Sequence, residues 1–317
     1  MKRLNFEEIK GITFGALSIT KEEDGIHFYK CTAKQNEVWA NLSDDLGRGA
    51  LTTSGVRFDF LTNSEHIRFS ASSGGKFEIW VDGLLKEQIK SKGANEGISV
   101  ANIELGKGEK RVIFAFPSHS IGVLDFFEID DNSFVTPSQH DKKILFLGDS
   151  ITQGWDAFYD TLSYAYRTSM YFDADSIIQG IGGAPYHKSA FDMDIAYDPD
   201  IVIVELGTND YLRYRNVEIV INGAKEYLSL VKQKFADKRI VVITPTWRAD
   251  MDKEPLKGNF LPIRDGIKKA AIDLNFEVVD GFKLLPHIEE FFADGYLHPN
   301  DNGFSLYAAN LIKALTK

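Results

Sequence analysis

Three short runs, Lys143–Leu147 (KILFL), Ile201–Leu206 (IVIVEL) and Arg239–Thr244 (RIVVIT), are apolar without alternation. A strand with one wet face alternates polar and apolar residues. Continuous runs of this kind mark strands buried on both faces, as in a parallel sheet. Such a sheet must be covered by helices, and the stretches between the runs supply them. Val217–Phe235 is the longest, and Asn302–Leu315 closes the chain with helical apolar spacing. Residues 142–317 are therefore expected to form an α/β three-layer domain around a parallel sheet.

Residues 1–137 have another texture. Short strand-like runs, Val56–Leu61, His66–Ala71, Lys76–Val81, Lys110–Pro117 and Ile121–Ile129, alternate with turn clusters such as Ser72–Gly75 and Leu105–Gly108. KFEIWVDGLLKEQI predicts a hairpin turning at Asp82-Gly83. No long helical periodicity is present, so an all-β sandwich of the jelly-roll type is expected. Thr136–His140 (TPSQH) reads as a polar linker between the halves.

Charge and cysteine usage exclude several function classes. A formal net charge of -10 argues against nucleic acid or an anionic membrane as the main partner, because phosphate binding needs a basic face. No run reaches the 18 apolar residues of a membrane-spanning helix. Cys31 is the single cysteine, so it can form no intramolecular disulfide and no cysteine-based metal site, and it reads as a buried, inert thiol. The start, MKRLNFEEIKGITFGA, carries no apolar segment of a secretion signal, which sets a cytoplasmic location as the expectation. Homo-oligomerisation stays open.

Four blocks carry chemistry. Leu147-Gly-Asp-Ser-Ile-Thr152 follows the first buried strand and puts Ser150 at its C-terminal edge, where open α/β sheets bind ligands. Ser150 reads either as a nucleophile with its own N–H facing the crevice or as a helix N-cap. Ile203–Asp210 (IVELGTND) ends a second buried strand and offers the Asn209 amide, or merely a turn. Ile178–Ala184 (IQGIGGA) provides glycines that let a backbone N–H approach a ligand. Phe292–Asn300 (FADGYLHPN) holds His298, whose side-chain class suits proton transfer near neutral pH, with Asp294 nearby to fix the imidazole tautomer.

The order and content of these blocks resemble the SGNH, or GDSL, hydrolase superfamily over roughly residues 142–317. The resemblance implies a flavodoxin-like parallel sheet and a serine esterase needing no cofactor and no metal. Ser150 is then similar to the family nucleophile and His298 to its base. Ser150, Gly183 and Asn209 would form the oxyanion hole, with Gly182 the alternative to Gly183, while Asp149 and Asp210 would brace loops. One departure stands out: the family spaces its acid and base as D-x-x-H, whereas Asp294 and His298 are spaced D-x-x-x-H. Either the loop absorbs the extra residue or a backbone carbonyl orients His298. With Asp294 as the orienting acid, Asp294→Asn is expected to lower kcat by of order 10⁴-fold.

A sandwich preceding an SGNH domain resembles the layout of carbohydrate esterase family 2, which implies acetyl removal from sugars and a small-molecule or oligosaccharide ester as partner. Trp155 and Trp247 follow apolar strands and could stack on a sugar ring or pack as wall residues. Arg248 could bond hydroxyls, and Tyr296 could line the acyl pocket. A lysophospholipase or acyl-thioesterase would use the same blocks with a longer apolar groove. A non-catalytic carbohydrate-binding protein is the third reading, and it would not require Ser150, Asn209 and His298 together.

Overall fold

The computed structural model describes residues 1–91 and 96–317. Five parallel strands form the C-terminal sheet in the order Ala174–Gly180, Lys142–Gly148, Ile201–Glu205, Arg239–Ile243, Glu277–Val279. The chain leaves the second strand of this order in both directions, so the sheet reverses its winding beside Lys142–Gly148. Ligands bind at that switch point in sheets of this type. Leu145, Leu147, Ile177, Val202, Val204 and Val242 pack on one side against helices Val217–Lys234 and Phe260–Asp273. Ile144, Phe146, Ile203, Val241 and Ile243 pack on the other against Tyr164–Tyr171 and Asp301–Leu315. The fold is the expected flavodoxin-like one.

The N-terminal half contains two antiparallel sheets. One runs Ser18–Glu22, Gly25–Tyr29, Leu124–Ile129, His66–Ala71, Ile98–Glu104. The other runs Thr136–Pro137, Arg57–Thr62, Lys110–Ala115, Lys76–Val81, Leu84–Lys90. Their inner faces close on Phe58, Phe69, Phe77, Phe114, Phe116 and Phe127, many of them in edge-to-face contact. The hairpin turns where expected, with Asp82 and Gly83 both at positive φ (48° and 80°) and Val81 paired with Leu84.

Two expectations are corrected. Helices Ala33–Leu42 and Asp44–Leu51 interrupt the β half, and they pack on the other half of the molecule. Trp39, Leu46 and Ala50, with Cys31, join the core beneath Leu145, Leu147 and Ile177, so the N-terminal half supplies part of a helix layer of the parallel sheet. Burial raises the Cys31 thiol to about 11, which leaves it an unreactive thiol at neutral pH. The segment read as a linker is docked. Thr136–Pro137 pairs at the edge of a sandwich sheet, where the missing proline N–H is harmless. Ser138 Oγ donates to Asp59 Oδ1 at 2.6 Å, and His140 sits between Asp59 (3.2 Å) and Asp173 (3.3 Å).

Polar contacts weld the two halves near the strand Lys142–Gly148. The buried Lys30 ammonium donates to Thr52 Oγ1, Ser54 Oγ and the Gly180 carbonyl at 2.7, 2.7 and 2.9 Å. Gln35 and Gln179 exchange amide hydrogen bonds at 2.9 Å. Glu78 accepts from Asp160 N and Thr161 N, and Asp160 in turn takes the Ser118 N–H at 2.7 Å. Among the described residues, no helix is long and apolar enough to cross a membrane.

Candidate active site

The strand Lys142–Gly148 ends at Gly148, and no other residue fits there. A Cβ would stand 2.0 Å from Thr152 Oγ1 and 2.8 Å from the Glu205 carbonyl oxygen. Asp149, not Ser150, caps the following turn, its Oδ1 accepting the Ile151 N–H at 2.9 Å. Ser150 therefore opens the helix with its hydroxyl uncommitted to capping, and its Oγ meets His298 Nε2 at 2.9 Å.

Beneath the serine two carboxyl groups, Asp149 and Glu205, are fully buried. Burial and the charge of Glu205 push Asp149 well above the usual carboxylate range, and burial pushes Glu205 up to about 7. Thr152 Oγ1 donates to Glu205 at 3.0 Å, and Asn209 Nδ2 donates to Asp149 Oδ2 at 3.3 Å. Asp210 takes the Tyr186 N–H at 2.9 Å and is lifted to about 7 by burial. Asp149 and Asp210 thus hold the loops that carry Asn209 and the glycine block.

The extra residue in the acid–base loop is taken up by Gly295, which sits at φ 77° with open space around its Cα. The loop closes through the Phe292–Pro299 bridge and a 2.8 Å bond from Ala293 N to the His298 carbonyl. Asp294 Oδ2 lies 2.8 Å from His298 Nδ1, and its Oδ1 accepts the N–H groups of Tyr296, Leu297 and His298 at 2.9, 2.8 and 3.1 Å. Burial alone would raise this carboxyl; the three N–H groups and His298 outweigh it and hold it below its ordinary value. No backbone carbonyl takes Nδ1 among the described residues. A second carboxylate does approach it: Asp156 Oδ2 lies 3.5 Å away.

Ser150, Gly182, Gly183, Asn209 and His298 line one depression of about 640 Å³. Gly182 donates its N–H to Gln153 Oε1 at 2.8 Å, while the N–H groups of Ser150 and Gly183 have no acceptor among the described residues. Of the two glycines, Gly183 has the free donor, and its φ of 79° turns that peptide. Trp155 and Tyr296 also line the depression, 41% and 40% exposed, so both rings are open to a ligand.

Two sequence-based assignments need correction. Trp247 is not in the depression; it stacks on His287 (5.1 Å, 6°) and packs against Phe292. Arg248 is a lining residue but only 1% exposed, with Nε and Nη2 clamped on Asp250 and Nη1 on the Thr208 carbonyl at 3.1 Å. Its guanidinium stiffens the floor and is not free to bond a sugar hydroxyl.

This geometry accompanies a direct sequence relationship. The profile of the GDSL-like lipase/acylhydrolase family matches residues 146–306, about half of the chain. The chain belongs to this family. No curated protein sequence matches this chain. Solved structures share its two-part fold along nearly the whole length. Salicylyl-acyltransferase SsfX3 from a tetracycline biosynthetic pathway aligns at TM-score 0.84 and 16% identity, over 96% of this chain and 93% of its own. The acetyl xylan esterase Est2A of Butyrivibrio proteoclasticus aligns at 0.65 and 14%, over 99% and 97%. A family two carbohydrate esterase of Clostridium thermocellum, solved with cellohexaose, aligns at 0.63 and 16%, over 96% and 97%. At these identities the likeness establishes the fold, a β-sandwich joined to an SGNH domain.

In this GDSL enzyme the β half also reaches the depression. Asp45, Arg48, Gly49, Thr52 and His119 line it. Burial, with Lys76 and Lys30 nearby, lowers the His119 imidazole to about 4, so it stays neutral at physiological pH, its ring edge-on to Trp155 at 4.9 Å. None of these five, nor Gln153 and Asp156, was visible in the sequence blocks. Only the helix bearing three of them had a signal close by, the capping box Thr32–Gln35 of the preceding helix. Among the described residues two groups have metal-ligand reach, Glu22–Asp24–His27 and Asp156–Asp294–His298. The second is already engaged, its imidazole bonded to Ser150 on one nitrogen and to Asp294 on the other.

Proposed function

We propose that this acylhydrolase is a serine esterase that removes short acyl groups, acetyl foremost, from hydroxyls of a carbohydrate. The chemical nature of the depression carries the reading. At about 640 Å³ it is far larger than an acetyl group needs, and Asp45, Arg48, Thr52, His119, Gln153 and Asn209 bring hydrogen-bonding groups to its lining. Trp155, Leu212, Tyr296 and Leu297 add apolar surface to the same lining. Exposed aromatic faces among hydrogen-bonding groups suit a sugar ring. The carbohydrate esterases with the same fold are in keeping with it.

The reaction follows from the placement of the groups. His298 Nε2 takes the Ser150 proton as Oγ attacks the ester carbonyl. The oxyanion is held by the N–H groups of Ser150 and Gly183 and by the Asn209 amide. Asp294 keeps the proton on Nδ1, so that Nε2 is the basic nitrogen. His298 then protonates the leaving alcohol, and water attacks the acyl-enzyme by the same path.

Acetate release from acetylated xylo-oligosaccharides, abolished in Ser150→Ala, is the expected result. A p-nitrophenyl series should fall off from acetate to octanoate. Preference for octanoate would overturn the acetyl reading in favour of a lysophospholipase or thioesterase. Failure of a fluorophosphonate to label Ser150 would favour a binding protein.

A further inference from the structure

Asp156 belongs to no block of the family motif, yet its Oδ2 lies 3.5 Å from the same His298 Nδ1 that Asp294 holds at 2.8 Å. Its backbone conformation is uncommon. Asp156 has φ 67°, in the left-handed region that costs most residues energy and that Asp and Asn tolerate best. Such a conformation is retained only where the surroundings enforce it.

The enforcing contacts come from the nucleophile itself. The Ser150 carbonyl accepts the N–H of Gly154 at 3.1 Å and that of Trp155 at 2.8 Å, and Ala157 N closes the turn on the Gly154 carbonyl at 3.1 Å. Asp156 therefore hangs on the nucleophile's own turn, whereas Asp294 rides on the loop that carries His298. The two carboxylates approach Nδ1 from different parts of the chain. The other groups around the ring are Ser150 on Nε2, the Trp155 ring at 6.2 Å and, behind it, the half-buried His119.

The geometry points to Asp156 as a second positioning residue for His298, a reserve acceptor for Nδ1–H that ties the base to the nucleophile's turn. This rests on the Ser150–His298 reading given above. In the acylation step the Oγ–C bond forms as the carbonyl π pair moves onto oxygen, and the Oγ proton passes to Nε2. The Nδ1 proton stays on the ring, bonded to Asp294 with the Asp156 carboxylate facing it at 3.5 Å, and neither carboxylate becomes protonated. Collapse returns the electron pair to the carbonyl, breaks the C–O bond to the alcohol and delivers the Nε2 proton to the departing oxygen. The imidazolium that exists between these events is where a second negative charge counts most.

A consequence concerns Asp294. An Asn in its place normally permits the wrong tautomer, and the loss is then of order 10⁴-fold. Here Asp156 still demands a proton on Nδ1, so Asp294→Asn should retain far more activity than that. The test is a double-mutant cycle in p-nitrophenyl acetate hydrolysis with Asp156→Asn, Asp294→Asn and the pair. Asn keeps the left-handed turn, so Asp156→Asn spares the fold. The penalty of Asp294→Asn should be at least about tenfold larger when Asp156 is also Asn, a coupling typical of groups sharing one partner. Asp156→Asn alone should move the acid limb of kcat/KM to lower pH, since one anion that favours the imidazolium is gone, with KM unchanged. Multiplicative penalties and an unmoved acid limb would overturn the proposal. Activity surviving in Ser150→Ala would instead overturn the underlying reading, so the two failures are told apart.

Discussion

Gln153 accepts the Gly182 N–H on its side-chain oxygen at 2.8 Å while its amide nitrogen donates to the Ser118 carbonyl at 2.7 Å. Through this one side chain the nucleophile's helical turn holds the glycine loop against the β half. Gln153→Ala should let the Gly183 N–H drift from the oxyanion position. A displacement near 1 Å costs on the order of 10²-fold in rate. Steady-state kinetics on p-nitrophenyl acetate should show the loss in kcat with KM little changed.

Asn209 donates only long bonds, 3.3 Å to Asp149 and 3.4 Å to the Ala184 carbonyl. Its amide is thus oriented without being consumed. Asn209→Ala should lower kcat by about 10²- to 10³-fold, the usual loss for one oxyanion donor. The melting temperature should stay close to that of the parent.

Lys30 is fully buried with, among the described residues, no carboxylate at its ammonium, and burial lowers it to about 8. The unfolded chain gives up the same proton only near pH 10.4. Between these values the unfolded state binds more protons, so the contribution of this group to stability rises with pH from about 8 to about 10. Denaturant titrations across that window should show the rise in the parent and its loss in Lys30→Met.

Asp59 is buried at the junction of the two halves. Burial acts to raise its carboxyl, but Arg111, His140, Arg57 and Ser138 prevail and hold it far below the ordinary value. Its stabilising contribution is therefore present above the unfolded value near 3.9 and is lost as pH falls below it. Asp59→Asn should cost about 3 kcal/mol or more at neutral pH, because Arg111 loses a buried partner. Its acid-unfolding profile should be flatter than that of the parent below pH 4.

The parallel sheet and the four blocks were legible because each is written locally. KILFL, IVIVEL and RIVVIT have no polar face to misread, and Ser150, Asn209 and His298 stand at the ends of their own strand or loop. What the sequence did not disclose is direction and distance. Trp247 follows a buried strand just as Trp155 follows the nucleophile, yet Trp247 turns to His287. Gly295 could be seen in the D-x-x-x-H spacing, but its positive φ is set by the closed loop around it. His119, Arg48 and Thr52 reach Ser150 across more than thirty residues of sequence or a whole domain. The helices carrying residues 33–51 were missed because they are short and polar, with few apolar positions to reveal a period.

Those helices also bear on modularity. Trp39, Leu46 and Ala50 cover Leu147, Ile177 and Ile181, which a chain cut after Pro137 would leave bare to water. Grafting a different sandwich onto residues 142–317 would carry off this cover, and with it Lys30 and Thr52. The unit an engineer can exchange intact is the entire two-part molecule, or the sandwich strands with residues 30–52 left in place.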